Sequence, residues 1–341
     1  MAINREYSGT GSDIDIVVPW VDGSDPEWQK EREKYAPVKP RDDGSSNTRR
    51  FRDWDNLQYL FRGIEEFAPW VRTVHFVTFG HLPKWLNTDA PKLHIVKHED
   101  YIPEKYLPTF SSHPIELNLH RISGLSEQFV YFNDDMFLLK PVKQADFFRD
   151  GKPCDCAALN AVSLPRKTKM AAQIYNTSVI NQHFSKNSVI SRHPLKWFNV
   201  KYGSSNIRTL CLLPWPRFTG FMEPHLPTSL LKSTFEEVWN CEYEVLDETC
   251  KHRFRSVTDV NQWLMRDWQL VTGNFAPRSA SFGKRFMQVM DDEIRDVIIK
   301  QKYHLACFND FGNEGTFEQE KQLLIDSFET ILPDPSSFEL K

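Results

Sequence analysis

The sequence predicts an α/β fold in which a mostly parallel sheet is followed by a helical C-terminal half packed on it. Short apolar runs typical of buried strands alternate with helical segments between residues 14 and 139. Beyond residue 140 the recurring signal is apolar residues at helical spacing. We expect residues 1–150 and 151–341 to form one integrated domain, with a sheet of the nucleotide-binding kind in the first part.

The elements of the first half can be read in order. A strand is predicted over residues 14–19 and ends at Pro19, and Pro26 suits the first turn of the next helix. Apolar residues at 57, 60, 61, 64 and 67 predict a helix over residues 56–67. Strands are expected at 74–79 and 93–96, a helix around 115–122, and a further strand from residue 129.

The second half shows a different pattern. Residues 153–225 are rich in Pro, Asn, Ser and Trp with weak periodicity, which predicts loops covering a cleft. Helices are predicted near residues 227–240, 259–272, 288–301 and 317–330. Without clear strands of its own, this half is expected to pack on the sheet.

Composition excludes some classes of protein. A net charge of −4 with 26% charged residues gives no strong field for nucleic acid. Six cysteines without a CxxC pair favour reduced thiols over disulfides or zinc. The polar N-terminus lacks an export signal, and no apolar stretch approaches the ~20 residues that span a bilayer. We therefore expect a cytoplasmic protein.

An acidic pair interrupts the apolar run of residues 129–137. Asn133, Asp134 and Asp135 stand where a strand should end, and adjacent carboxylates repel each other unless a cation is near. Ligands bind beyond the carboxyl ends of strands in open α/β sheets, so the pattern predicts a metal-assisted site for a phosphorylated ligand. The alternative is a solvated turn in which Asp134 caps the next segment.

Four segments resemble the four regions of the Stealth family, which includes bacterial capsular polysaccharide phosphotransferases and the catalytic subunit of the lysosomal-enzyme GlcNAc-1-phosphotransferase. They are residues 14–25, the long block from Arg50 to Met136, residues 223–227 (Glu-Pro-His-Leu-Pro) and residues 305–310 (Leu-Ala-Cys-Phe-Asn-Asp). The resemblance covers most of the chain and weakens between about 140 and 215.

The resemblance implies a GT-A or Rossmann-like sheet and a sugar-1-phosphate transferase. The donor is a nucleotide-diphosphate sugar, UDP-N-acetylhexosamine by default, and the acceptor is a hydroxyl of a glycan or capsular oligosaccharide. The nucleoside monophosphate leaves, and a phosphodiester forms. Mg²⁺ or Mn²⁺ is the implied cofactor, and the implied place is the cytoplasm, with peripheral association at the inner face of the bacterial membrane.

Metal and base assignments follow from this chemistry. Asp135 is the first choice as a metal ligand, with Asp134 and Asp310 beside it, because magnesium needs only one or two carboxylates plus phosphate. Neighbouring strand residues face opposite ways, so Asp134 and Asp135 need not both ligate. Asp310 can also be part of an Asn-Asp turn. His225, between two prolines, is the candidate general base, because an imidazole titrates near neutral pH; a structural histidine is the alternative.

The remaining candidates bind the donor. Glu116 matches an acidic position of the family, where it recognises donor sugar or orients the nucleophile; a solvated carboxylate paired with Arg121 is the alternative. Arg52, Arg166 and Arg121 are candidate phosphate ligands, since a guanidinium makes bidentate contacts, and Lys167 competes with Arg166. Asp22 is assigned to base or ribose, and Asn133 to orienting its acidic neighbours.

Two other functions remain open at this point. A metal-dependent GT-A glycosyltransferase also places aspartates after a strand, but it releases nucleoside diphosphate. A glycan-binding protein that kept the fold would bind nucleotide sugar without turnover or metal dependence.

Overall fold

The computed structural model describes residues 13–36, 54–163, 171–287, 291–309 and 314–341. Within these ranges the strands, numbered in chain order, are β1 Ile14–Pro19, β2 Val74–Thr78, β3 Leu93–Lys97, β4 Gln128–Tyr131, β5 Met136–Leu138, β6 Phe148–Arg149, β7 Lys152–Asp155, β8 Thr228–Leu231, β9 Ala276–Pro277, β10 Gly283–Phe286 and β11 Leu305–Phe308.

The helices of the described ranges connect and cover these strands. They are α1 Pro26–Tyr35, α2 Leu57–Phe67, α3 His98–Tyr101, α4 Ser112–Leu117, α5 Gln144–Phe147, α6 Ala171–His183, α7 Lys186–Arg192, α8 Pro194–Trp197, α9 Ser205–Leu212, α10 Lys232–Cys241, α11 Tyr243–Lys251, α12 Trp263–Val271, α13 Asp291–Ile299 and α14 Phe317–Ile331. No helix of the described ranges is long and apolar enough to cross a bilayer.

A five-stranded sheet organises the molecule in the order β3-β2-β1-β4-β8. The first four strands are parallel, and β8 pairs antiparallel with β4. Alternate side chains of β1 enter two hydrophobic cores: Ile16 and Val18 pack on one side of the sheet, and Val17 packs on the other. The predicted α/β fold with a mostly parallel sheet is confirmed.

Two smaller sheets flank the central one. One has the order β10-β11-β5, with β11 antiparallel to β5, and the other has the order β6-β7-β9. Strands β7 to β11 all lie beyond residue 150, so the expectation that the second half lacks strands was wrong. Residues 228–231, predicted as the start of a helix, form the edge strand β8, because their buried side chains face both cores and their backbone completes the central sheet.

The interpretation of residues 153–225 as loops was also wrong. Helices α6 to α9 occupy much of this stretch. Helix α6 carries no simple apolar stripe, since it buries polar as well as apolar side chains; the amide of its buried Asn176, for example, donates to Asn261 Oδ1 at 2.8 Å. The periodicity of apolar residues therefore could not reveal it.

Candidate active site

The acidic turn lies between β4 and β5, beyond the carboxyl end of a parallel strand. Its backbone is closed by the Met136 amide, which donates to the Asn133 carbonyl at 3.1 Å. Asp134 is exposed and Asp135 is half-buried, so the two carboxylates have different surroundings.

The carboxylate of Asp135 is held from the side of β11. Asn309 Nδ2 donates to Asp135 Oδ2, and Arg285 Nε in turn donates to Asn309 Oδ1. The other oxygen, Asp135 Oδ1, is buried and has no hydrogen-bond partner among the described residues. A buried carboxylate oxygen without a donor is costly, which makes it a natural position for a cation.

His225 lies against this carboxylate. Its Nε2 is 3.7 Å from Asp135 Oδ2, and the Sγ of Cys307 completes a group of three ligand atoms that all lie within 4.8 Å of one another. The strand register explains this meeting: Tyr131 at the end of β4 pairs with Thr228 at the start of antiparallel β8. The residues that follow β4 and the residues that precede β8 must therefore be neighbours.

The backbone around His225 is strained and fixed. His225 has φ = +50°, a left-handed conformation that non-glycine residues rarely adopt and that is often found at functional sites. On its N-terminal side, residues 219–222 hydrogen-bond to residues 158–162, for example through the Met222 amide and the Ala158 carbonyl at 2.9 Å. On its C-terminal side, buried Leu226 leads into β8. The imidazole is thus presented by a rigid segment.

Cys307 is a neighbour that the sequence had offered only within a family segment. It lies in β11 opposite Met136 of β5, and it is buried. Burial, with the charge of Asp135 adding to it, raises the pKa of the thiol well above its ordinary value. The thiol is therefore protonated near neutral pH.

The carboxylate of Asp135 offers the hard oxygen that divalent cations such as Mg²⁺ and Mn²⁺ prefer, and its Oδ1 is the atom that lacks a donor within the described ranges. His225 and Cys307 are close enough to complete a group of three, but the protonated thiol of Cys307 is not a ligand in that form. Asp310, the predicted partner ligand, lies outside the described residues, although the adjacent Asn309 is at the site. Arg52 and Arg166, with Lys167, also lie outside the described residues.

Glu116 lies deeper, on α4. It is buried, and its two oxygens accept long hydrogen bonds of 3.4 Å from the Tyr131 hydroxyl and the Gln262 amide. Burial, and then the charges of Glu116 and Asp134, raise the pKa of Tyr131, whereas Arg255 lowers it. The Tyr131 phenol therefore contacts Glu116 and is within electrostatic range of Asp134 and Arg255.

Arg255 is the cation that sequence reasoning missed here. Its Nη2 donates to Ser112 Oγ at 2.7 Å, beside the start of the helix that carries Glu116. Nothing in residues 250–258 marks it as a ligand, since it lies among other basic residues. Arg121, by contrast, donates to Asn118 Oδ1 at 3.0 Å and stacks its guanidinium over Trp239, and it forms no ion pair with Glu116 in the described chain.

Asp22 lies in the loop beyond the carboxyl end of β1, the neighbour of β4, so it is at the same edge of the sheet as the acidic turn. Asp22 Oδ1 accepts hydrogen bonds from the Ser24 amide at 2.8 Å and its hydroxyl at 2.6 Å. The Asp22 amide donates to His81 Nε2 at 2.7 Å, and burial lowers the pKa of His81, which keeps that nitrogen available as an acceptor.

A second carboxyl group adjoins His225. Glu223 Oε2 accepts a hydrogen bond of 2.6 Å from Gln173 of α6, and burial raises the pKa of Glu223 to about 7 despite that bond and the charges of Arg266, His225 and Arg285. The Glu-Pro-His segment contained this residue, but only the fold shows that its side chain is enclosed.

A groove of ≈ 610 Å³ follows α6 from the turn after Gln173. Its polar lining comes from one face of α6 and from the segment that leads to Glu223, namely Thr177, Ser178, Asn181, Gln182, Arg217 and Thr219. Hydroxyl, amide and guanidinium groups of this kind bind hydroxyl-rich ligands through directed hydrogen bonds. The groove begins within one helical turn of the residue that contacts Glu223.

Comparison with known proteins gives matches along nearly the whole chain. Residues 12–37 match the family model described as Stealth protein CR1, conserved region 1, and residues 50–155 match Stealth protein CR2, conserved region 2. The chain is 40% identical to a Streptococcus pneumoniae protein named capsular polysaccharide phosphotransferase WcwK, over 96% of this chain and 98% of that one.

Other relatives carry related names. The exopolysaccharide phosphotransferase cps2G of Lactiplantibacillus plantarum is 43% identical over 96% of each chain, and the receptor polysaccharide phosphotransferase WefC of Streptococcus oralis is 39% identical over 96% and 99%. Among solved structures, the galactosyltransferase LgtC aligns with 94% of this chain and 98% of its own, at 9% identity and a TM-score of 0.39.

Proposed function

Since the chain belongs to the Stealth family of capsular and exopolysaccharide phosphotransferases, we propose that it transfers hexosamine 1-phosphate from a nucleotide-diphosphate sugar to a glycan hydroxyl. The donor is UDP-N-acetylhexosamine, the acceptor is an oligosaccharide of the capsular kind, and the products are a phosphodiester and a nucleoside monophosphate.

One observation carries the proposal. Nε2 of His225 is 3.7 Å from Oδ2 of Asp135, while Oδ1 of Asp135 is buried without a hydrogen-bond donor among the described residues. This group supports the proposal, because phosphoryl transfer needs a proton acceptor for the attacking hydroxyl and positive charge for the phosphate oxygens.

The reaction can be followed atom by atom. The acceptor hydroxyl oxygen attacks the phosphorus that bears the sugar, and its proton passes to Nε2 of His225. The bond from that phosphorus to the bridging oxygen breaks, and the electron pair leaves with the nucleoside monophosphate. The carboxylate of Asp135 stabilises the imidazolium that forms, and the fixed backbone of His225 keeps Nε2 in line.

Asp135 Oδ1 is the residue atom that would hold Mg²⁺ or Mn²⁺, with Asp310 and Asp134 as the further carboxylates. Such an ion supplies positive charge to the diphosphate oxygens as the leaving group departs. Asn309 keeps Asp135 oriented for this task through its bond to Oδ2, and Arg285 fixes Asn309. Nε2 of His225 remains available to accept the proton of the acceptor hydroxyl.

Donor recognition is assigned to the groups at the same edge of the sheet. Arg255 lies beside α4 and near Tyr131, where its guanidinium can neutralise phosphate charge, and buried Glu116 can accept hydrogen bonds from sugar hydroxyls. Asp22 is assigned to the nucleoside. Arg52, Arg166 and Arg121 are assigned to the phosphates of the donor.

The acceptor is assigned to the groove along α6. Its polar lining and its closeness to Gln173, which contacts Glu223 two residues before His225, support this placement. We also propose a cytoplasmic location with peripheral association at the inner face of the membrane, where lipid-borne acceptors would be reached.

Product analysis tests the proposal. Purified enzyme with UDP-N-acetylhexosamine, Mg²⁺ and an oligosaccharide acceptor should release nucleoside monophosphate, and ³¹P NMR should show a phosphodiester. Release of nucleoside diphosphate would instead establish a glycosyltransferase, and binding without product would leave a glycan-binding protein. His94→Ala, on the edge strand β3, is the matched histidine control and should keep its activity.

A further inference from the structure

Charge is distributed very unevenly along the chain. Residues 156–222 contain nine Lys or Arg residues and no Asp or Glu. This stretch of 67 residues therefore carries +9 in a chain of net −4, which leaves −13 for the remainder. A field of one sign over a continuous segment attracts polyanions and anionic surfaces.

Four cations of this stretch are available to an outside partner. Arg192, Lys201, Arg208 and Arg217 are exposed, and none of them forms an ion pair with a carboxylate in the described ranges. Lys201 and Arg208 donate only to neutral oxygens in the described ranges: Lys201 Nζ to the Pro277 carbonyl at 3.2 Å, and Arg208 Nη1 to Asn160 Oδ1 at 3.3 Å. Elsewhere in the described chain, cations such as Arg62, Arg72 and Lys105 are paired with acids.

Large apolar side chains stand out between these cations. Leu195, Val200, Ile207, Leu210 and Trp215 are 80%, 93%, 63%, 53% and 53% exposed, respectively. They make up five of the twelve large exposed hydrophobic residues of the described chain, within a span of 21 residues. Scattered exposed apolar residues need no explanation, but a concentration of this kind marks an interaction surface.

Local contacts connect the segments that carry these side chains, for example the bond of 3.1 Å from Asn199 Nδ2 to the Leu195 carbonyl. Ile207 and Leu210 are one turn apart on α9, whose opposite face buries Thr209 and Leu212. Asn206 Nδ2 donates to the Asn199 carbonyl at 2.8 Å, which joins α9 to the turn that carries Val200. The buried ammonium of Lys186 donates to the Leu212 and Trp215 carbonyls and so fixes the segment that follows α9.

We propose that this surface, the basic face formed by the exposed residues between Arg192 and Arg217, binds a bilayer containing anionic phospholipids. Apolar side chains of the size of Trp, Leu and Ile enter the headgroup region, and the cations around them pair with lipid phosphates. Because no carboxylate lies in the stretch, nothing in it repels an anionic surface.

This inference deepens the membrane association proposed above by naming its surface, and it does not depend on the chemistry of transfer. Arg217 belongs both to the basic face and to the lining of the acceptor groove. From there the chain leads through residues 219–222 to Glu223 and His225. A bilayer bound at the basic face would therefore deliver a lipid-borne acceptor at the entrance of the groove.

Vesicle sedimentation of the full chain tests the proposal. The protein should pellet with phosphatidylglycerol–phosphatidylcholine vesicles, remain in solution with phosphatidylcholine alone, and dissociate when the salt is raised from about 0.1 M to about 1 M. Lys201→Glu/Arg208→Glu should weaken binding by more than about 25-fold, since each cation at a membrane contributes about fivefold. Lys30→Glu/Lys84→Glu changes the net charge equally and should bind like the wild type.

The apolar contribution is tested with a second matched pair. Ile207→Ser/Leu210→Ser should weaken binding by at least tenfold, whereas Val257→Ser/Leu340→Ser, at positions that are 57% and 60% exposed, should not. All these side chains are exposed, so the variants are expected to fold. Circular dichroism checks this directly.

Two exposed cysteines offer a site-specific readout. Cys211 lies on α9 within the basic face, and Cys241 lies at the end of α10 outside it. A polarity-sensitive fluorophore on Cys211, in a Cys241→Ser background, should shift to the blue with anionic vesicles. The same fluorophore on Cys241, in a Cys211→Ser background, should not.

Three outcomes would overturn the proposal. They are equal pelleting with neutral and anionic vesicles, equal binding by the face and control variants, and equal spectral shifts at the two cysteines. Binding of single-stranded RNA without binding of vesicles would identify a different polyanion and would overturn it as well. None of these readouts involves turnover, so they stand apart from a failure of the proposed reaction.

Discussion

Arg266 of α12 supplies the sharpest test of how the interior supports the site. Its guanidinium is 1% exposed and binds both oxygens of Asp155, at 2.7 and 2.9 Å. It also donates to Asp267 Oδ1 at 3.2 Å and to the Cys156 carbonyl at 3.1 Å. These bonds tie α12 to the end of β7, and the charge of Arg266 also acts on Glu223.

Replacing Arg266 with methionine should lower the free energy of unfolding by about 3–5 kcal/mol. The four bonds are worth more in isolation, but the variant no longer desolvates a guanidinium, so only part of that energy is lost. What remains is the cost of two buried carboxylates without their cation. Arg208→Met, at an exposed arginine, should change stability by less than about 0.5 kcal/mol.

Urea unfolding at pH 7, followed by far-ultraviolet circular dichroism, measures this loss. Asp155→Asn and the double variant complete a cycle, in which the double variant should lose at least about 2 kcal/mol less than the sum of the single variants. A loss below about 1 kcal/mol for Arg266→Met, or simple additivity in the cycle, would refute the claim that these side chains act as a unit.

The same variant should have a characteristic pH dependence. Burial already raises the pKa of Asp267 well above its ordinary value, and removing Arg266 removes the charge that opposes this. A carboxyl group with a raised pKa in the folded state stabilises the fold below its unfolded pKa and loses that contribution as pH rises. The deficit of Arg266→Met should therefore shrink between pH 7 and pH 5; a deficit that grows would contradict this reasoning.

Four further outcomes are expected. His225→Ala should fold normally and lose about 10²–10⁴ in kcat, the range of general base catalysis, and near-normal turnover would exclude the role. Asp135→Asn should weaken Mn²⁺ binding, measured by electron paramagnetic resonance without substrate, whereas Asp134→Asn, at the exposed neighbour, should do so less; equal losses would contradict the ligand assignment. Asp15→Asn should lower the free energy of unfolding by about 2 kcal/mol at pH 7. Burial raises the pKa of Asp15, but the hydrogen bonds from His75 and Arg72 outweigh it and lower that pKa to about 2. The stabilisation is therefore present above pH 4 and is lost as pH falls toward 2, so the stabilities of the wild type and the variant should converge in acid. Gln182→Ala should raise KM for the acceptor about fivefold with little change in KM for the donor, while Gln322→Ala, on α14, should change neither.

The first half of the fold could be predicted because its signals are local. The apolar run of β1 and the spacing of apolar residues in α2 each mark one element without reference to the rest of the chain. The acidic pair could be singled out for the same reason, since two adjacent carboxylates in an apolar run stand out in any context. The choice of His225 depended instead on the family resemblance.

The rest depends on contacts between distant residues. Residues 228–231 read as part of a helix because Lys232 begins one directly, and only pairing with β4 makes them a strand. Cys307 joins the site because β11 pairs with β5. The spacing of apolar residues along the chain predicts neither of these strand pairings. Arg255 was missed because only the fold places its guanidinium beside Ser112, at the start of the helix that carries Glu116.

The antiparallel pairing of β8 with β4 has a consequence for how such enzymes can diverge. Tyr131 and Thr228 are opposite each other, so the excursion of the chain between them starts and ends at the same point of the central sheet. Insertions or deletions between residues 163 and 218 would leave the pairing of residues 158–162 with 219–222 in place, and with it the distance between acid and imidazole. If this stretch binds the acceptor as proposed, new acceptor specificities can arise there by changes of loop and helix length while the proposed catalytic pair keeps its geometry.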